Sequence, residues 1–143
     1  MWGLAGLRVG YVIGRPELVR PLRAAGPPYS VSAPSVALAL AHLASGEATM
    51  QAYVAAVKVE RDVLYDIMRE CGLAPVRSQA NFVFARCGSP ARALAVRDGL
   101  AALGIGIRAF PGEPGIDDGV RVTCPGNAVD AARLYAAIRA VTS

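Results

Sequence analysis

The sequence predicts an α/β chain that ends in a small α+β domain, and three observations carry that prediction. Short apolar runs of strand length, at residues 9–13, 82–85, 105–110 and 120–124, alternate with stretches whose apolar residues recur at helical spacing. One helical pattern, over residues 47–71, is far longer than the others and separates an N-terminal stretch from the rest. After it the elements run strand, helix, strand, strand, helix.

In chain order, Gly3, Ala5 and Gly6 lead into Arg8, and residues 7–14 read as a buried strand. Glycines let a backbone approach a ligand closely, and a fixed cation beside them suits a phosphate or carboxylate. A glycine-rich turn carrying a surface arginine would look the same. Pro16 with Glu17 opens a short helix, which Pro21 should kink or end because proline lacks a donor and clashes with the preceding turn. The run Gly26-Pro27-Pro28-Tyr29-Ser30-Val31-Ser32 reads as an extended loop. Ser32 or Ala33 opens the next helix, with Val36, Leu40 and Leu43 as its stripe, His42 packed within the pattern, and Gly46 as its stop.

In the long helix Val54, Val57, Leu64, Ile67 and Cys71 line one side, Lys58, Glu60, Arg61 and Asp62 lie elsewhere, and Gly72 takes the C′ position. Asn81 stands at the mouth of the strand that follows, where it serves either a site or the local turn backbone. Ser89 and Pro90 mark a helix start, with Ala93, Val96, Leu100 and Leu103 as its stripe. A strand (105–110), a loop (111–119) and a strand (120–124) come next, and Asn127 caps a last helix in which Leu134, Ile138 and Val141 stack. Alternation sends Val120 and Val122 to one face of their strand and Arg121 to the other.

Bulk properties narrow the function. The 143 residues leave room for one ordinary domain with a real core. The net charge of +4 is almost all arginine, Lys58 being the only lysine, and the arginines are scattered singly without interleaved aromatics. That argues against nucleic acid as a partner. No apolar run approaches the ~18 residues of a membrane span, and no signal-peptide pattern opens the chain, so no membrane partner is expected. Cys71, Cys87 and Cys124 are widely spaced with no Cys-x-x-Cys pair, and His42 is the sole histidine. These point to a soluble protein of the reducing cytoplasm with no metal site.

Gly3, Leu4, Gly6, Arg8, Val9 and Gly10 also fall in register with a longer pattern, Ser-x-Ser-Lys, two free positions, then Gly-Leu-x-Gly-x-Arg-aliphatic-Gly. In this the chain resembles the fold type I pyridoxal-phosphate (PLP) aminotransferases of class I/II. Pro27-Pro28-Tyr29-x-Val31, Ser78-x-Ala80-Asn81-Phe82, Ile107-Arg108 and Val120-Arg121-Val122-Thr123 are similar to elements of that family, above all of its histidinol-phosphate aminotransferases. The resemblance runs from Trp2 to Val141, in a family whose chains are more than twice as long. It implies the C-terminal portion of such an enzyme, with 1–45 a piece of the large PLP-binding domain. Residues 46–143 would then be the bridging helix and small C-terminal domain.

Counting back eight positions from Arg8 passes one residue beyond Met1, so the Schiff-base lysine is absent. No catalytic residue is assigned, and the chain by itself is expected to be inactive. For the complete enzyme the resemblance implies a homodimer that uses PLP. It would move an amino group between an amine or amino acid, histidinol phosphate or similar, and a 2-oxo acid. Arg8 is the implied holder of the PLP phosphate. By the same resemblance Arg121 would grip the substrate's acidic group, for which a planar guanidinium is suited. Arg108 would help to hold a substrate phosphate, Asn81 would face the substrate, and Tyr29 would pass near the site and the dimer contact or else anchor its own loop. The competing reading, of another class, is a non-catalytic remnant or binding module that keeps the small-domain fold.

Overall fold

The computed structural model describes residues 2–27 and 29–143. The chain packs as two units, Met1–Ala52 and Tyr53–Ser143, and the division falls inside the long helix α3 (Glu47–Glu70).

The second unit holds the core. Its sheet has four strands, β1 (Ala74–Val76), β2 (Phe82–Arg86), β3 (Arg108–Ala109) and β4 (Gly119–Thr123), in the order β1-β2-β4-β3, every neighbouring pair antiparallel. Because β2 and β3 both run antiparallel to β4, they are parallel to each other, and helix α4 (Pro90–Ala102) makes the crossover that parallel strands require. Helix α5 (Ala128–Thr142) closes the unit. Period-2 alternation sends Val83, Ala85, Val120 and Val122 to one sheet face, where Leu64 and Met68 of α3, Leu100 of α4 and Ile138 of α5 cover them. Full burial of each such Leu, Ile or Met stabilises by about 1.5–3 kcal/mol.

Local signals in this unit act as the sequence predicts. Ser89 and Asn127 accept the main-chain N–H of Arg92 and Asp130 at their helix starts. Gly72, at φ 70°, turns the chain out of α3 while the Leu73 N–H reaches back to the Met68 carbonyl. Several features differ: the strand expected over 105–110 forms only at Arg108–Ala109, and Leu103 of the expected α4 stripe is exposed. Ala74–Val76 forms a fourth strand where a link was expected; it is an edge strand, the place where Pro75 can be tolerated. Glu60 is not on a solvated side of α3. It is only 8% exposed and belongs to the buried face with Val57, Leu64, Ile67 and Met68.

The first unit comprises a 3₁₀ turn (Ala5–Leu7), α1 (Pro16–Ala25), α2 (Ala33–Ser45) and the start of α3. The strand expected over 7–14 does not form: residues 9–15 are irregular, and Val9, Tyr11, Val12 and Ile13 are exposed. A strand needs a neighbour to pair its backbone groups, and this unit has no strand among its described residues. Helix α1 continues through Pro21 rather than ending there. Proline's fixed φ is helical, and in a helix with no buried residue the one freed carbonyl is open to water. Ser32 caps α2 through the Ser35 N–H as predicted, but Val36, Leu40 and Leu43 are exposed, and Ala39 is the helix's buried residue. Of the proline loop, Pro28 lies outside the described residues; the rest is non-helical. Among the described residues no helix is long and apolar enough to cross a membrane.

Candidate functional site

The sheet face turned away from the helices gathers the unit's most informative side chains. Strand register places Phe84 opposite Arg121, and Arg121 opposite Arg108, so the three form one row across β2, β4 and β3. Directly opposed like charges disfavour a sheet unless something offsets them. Neither arginine forms an ion pair within the described residues. Aromatic rings back both instead. The Arg121 guanidinium lies 5.2 Å from the centre of the Phe82 ring, and that of Arg108 lies 5.2 Å from the Phe110 ring. The Nε of Arg121 is buried with no hydrogen-bond partner. An orphaned donor beside a second unpaired guanidinium is an arrangement for gripping an anion of two or more oxygens.

Strand alternation in the sequence sends Arg121 to this face, whereas the place of Arg108 beside it and the aromatic floor emerge only from the register. Phe84 lies 6.0 Å from Phe110, ring centre to ring centre, in a tilted pair. The loop between β3 and β4 is pinned by Arg86, which pairs with Asp118 at 2.7 Å and donates to the Gly115 carbonyl at 2.7 Å. Isolated charges in a loop carry no sequence signal of such a lock.

Asn81 is exposed just before β2, and its main-chain carbonyl accepts the Cys124 N–H at 2.9 Å. The turn backbone beside it is served by Ser78, whose Oγ accepts the Ala80 N–H, while Arg61 of α3 holds the Ala80 carbonyl.

Behind the core, Glu60 accepts the Gly126 N–H at 2.7 Å, and the Tyr135 hydroxyl donates to the Glu60 carbonyl at 3.2 Å. Burial first, then the Glu60 carboxylate and Cys124, push the Tyr135 phenol up to about 12. Burial and Glu60, partly opposed by Arg61, push the Cys124 thiol up to about 11. These groups stay protonated and inert at neutral pH. Cys71, Cys87 and Cys124 are all free thiols. Among the described residues no three His, Cys, Asp or Glu side chains are placed to hold a metal.

In the first unit, Arg8 follows the 3₁₀ turn with its N–H on the Ala5 carbonyl and its backbone left-handed at φ 55°. Tyr29 is left-handed too, at φ 58°, and fully exposed, so it does not anchor its loop by packing. Among the described residues these two are the non-glycine positions with positive φ. Such strain persists where the surroundings or a function require it. The Gly3–Leu7 segment packs on α2, with Trp2 meeting His42 edge-to-face at 5.7 Å, and the two leave an open groove of about 510 Å³.

The aminotransferase class I and II family model matches residues 1–141. An aromatic amino acid aminotransferase of Corynebacterium efficiens is 39% identical over 140 residues, which cover 98% of this chain and 36% of that protein. A histidinol-phosphate aminotransferase of Symbiobacterium thermophilum is 37% identical over 123 residues, 86% of this chain and 33% of that one. The crystal structure of a Sinorhizobium meliloti histidinol-phosphate aminotransferase in complex with pyridoxal-5'-phosphate matches with a TM-score of 0.77 at 30% identity. That match covers 98% of this chain and 38% of the other. The chain thus spans about a third of the length of the relatives it matches.

Proposed function

This chain belongs to the class I and II aminotransferases, and on that premise we propose that it forms the acid-gripping part of a PLP-dependent transaminase. The whole enzyme would move an amino group between an amine or amino acid and a 2-oxo acid, as a cytoplasmic homodimer. Residues 1–45 would belong to the large cofactor domain, and residues 46–143 to the bridging helix and small domain. The observation that carries the reading is the row Phe84–Arg121–Arg108, two unpaired guanidiniums abreast on an aromatic floor, one with an orphaned Nε.

Arg121 takes the substrate's acidic group, its planar fork matching two oxygens at once. Arg108 adds a second cation that a phosphate dianion can use more fully than a carboxylate can. Phe82 backs Arg121 and Phe110 backs Arg108, each ring supporting its own guanidinium. In this reading Asn81 would face the substrate, and Tyr29, in the other unit, would serve the neighbourhood of the active site and the dimer contact of the complete enzyme. Arg8 suits the PLP phosphate: it is exposed, forms no ion pair among the described residues, and follows Gly3 and Gly6, beside which a Cβ would meet nothing within 4 Å. PLP, when bound, supplies the electron-withdrawing ring that amino transfer needs.

The test uses a full-length aminotransferase that carries residues 1–143. Arg121→Ala should lower kcat/KM for acidic substrates by about 2–5 kcal/mol in transition-state terms, the usual loss when one partner of a desolvated charge pair is truncated. Arg108→Ala should cost more with histidinol phosphate than with phenylalanine. Unchanged kcat/KM in Arg121→Ala would overturn the reading.

A further inference from the structure

Gly119 opens β4 beside Arg121, two positions along the strand and on the same sheet face. Its φ lies outside the left-handed region, so what glycine supplies here is room rather than conformational freedom. A Cβ at this position would overlap the Cζ and Cε2 atoms of the Phe84 ring. Phe84 is therefore seated on bare backbone. Its strand partner is Arg121, yet its ring leans diagonally over Gly119. From that seat it meets Phe110, and Phe110 in turn carries the Arg108 guanidinium on its ring. Arg108 has no carboxylate to orient it among the described residues. Arg121 is backed separately, by Phe82.

We propose that Gly119 is a positioning residue that sets selectivity for phosphorylated over plain substrates, by seating Phe84 so that Phe110 holds Arg108 beside Arg121. The inference rests on the reading of Arg108 as a substrate-phosphate contact. Only the Arg108 branch runs through Gly119. A change there should spare the carboxylate grip of Arg121.

The experiment is a double-mutant cycle in a full-length aminotransferase carrying residues 1–143, assayed with histidinol phosphate and with phenylalanine. Gly119→Ala should raise KM for histidinol phosphate by about five- to tenfold with little change in kcat, the scale of one cation–π support, and should leave phenylalanine within about twofold. Phe84→Leu removes the ring that the new Cβ strikes. Gly119→Ala added to Phe84→Leu should therefore cost nothing further, because the two residues couple through this contact. Phe110→Leu should repeat the selective loss, and Phe110→Tyr should retain selectivity. These two variants keep the inference testable if Gly119→Ala does not fold. Arg108→Ala is the reference arm. If Arg108→Ala discriminates between the substrates but Gly119→Ala or Phe110→Leu harms both equally, or the cycle is additive, this inference falls while the site reading stands. If Arg108→Ala itself does not discriminate, both fall.

Discussion

Arg8 and Tyr29 hold backbone conformations that most side chains avoid, at φ 55° and 58°. Glycine at position 8 would remove this strain, so an arginine there separates the demands of the backbone from those of the side chain. Arg8→Gly should leave the stability of the 143-residue chain unchanged or slightly raised. In a full-length enzyme carrying residues 1–143, Arg8→Gly and Arg8→Ala should both weaken PLP binding, by similar factors and for every substrate, because their shared defect is the missing guanidinium. Equilibrium dialysis of the cofactor beside a urea melt separates the two effects. A destabilised Arg8→Gly variant with unchanged PLP affinity would assign the residue to structure. Arg121 shows the complementary case, a side chain whose Nε is buried before any partner is present.

Helices α3 and α5 are joined by a polar tie as well as by packing: Glu60 accepts the Gly126 N–H, and Tyr135 donates to the Glu60 carbonyl. This tie should make the second unit alkali-sensitive. The Tyr135 phenol, ordinarily at 10.0, is pushed up to about 12, and the Cys124 thiol, ordinarily at 9.0, up to about 11. Both keep their protons in the folded chain where the unfolded chain has lost them. Their contribution is thus complete below pH 9 and falls as the pH rises to about 12. Urea midpoints should decline across that window, and Tyr135→Phe should flatten its upper half. An unchanged decline in Tyr135→Phe would clear the phenol of the effect. None of this was legible in the sequence, where Glu60 sits in a run of charges, Lys58 to Asp62, that looks solvated throughout. The helix caps, the C′ glycine and the faces of β4 were legible, because each depends on residues within a few positions of one another. The strand expected over 7–14 failed for the opposite reason. Its pattern is local, but its pairing requires a neighbouring strand, and the first unit has none among its described residues.

At the scale of the whole molecule, apolar burial is divided very unequally. The second unit contains the core cluster from Val57 to Ile138, whereas among the described residues of the first unit Ala39 is the buried apolar side chain and Tyr11, Val12, Ile13, Leu18, Leu38 and Leu40 are exposed. Exposed apolar area of this kind promotes association. The 143-residue chain, expressed by itself, should self-associate. A truncated chain starting at Glu47 should be monomeric and melt cooperatively. Where the cut falls matters. The Tyr53 ring occupies the space a Cβ would need at Gly126, Val57 belongs to the core, and Glu60 satisfies the Gly126 N–H. A chain starting at Arg61 loses all three. It forfeits about 1.5–3 kcal/mol for the valine alone and leaves a main-chain donor without its acceptor, at about 1–3 kcal/mol more. Losses of that size are a large part of a small domain's total stability, so the 61–143 chain should be unfolded or melt far lower than the 47–143 chain. Light scattering and thermal melts of the three chains decide the matter. A monodisperse, cooperatively melting monomer of all 143 residues would show that the exposed apolar surface of the first unit does not drive association, and equal Tm values for the two truncations would show that the N-terminal turns of α3 do not support the core.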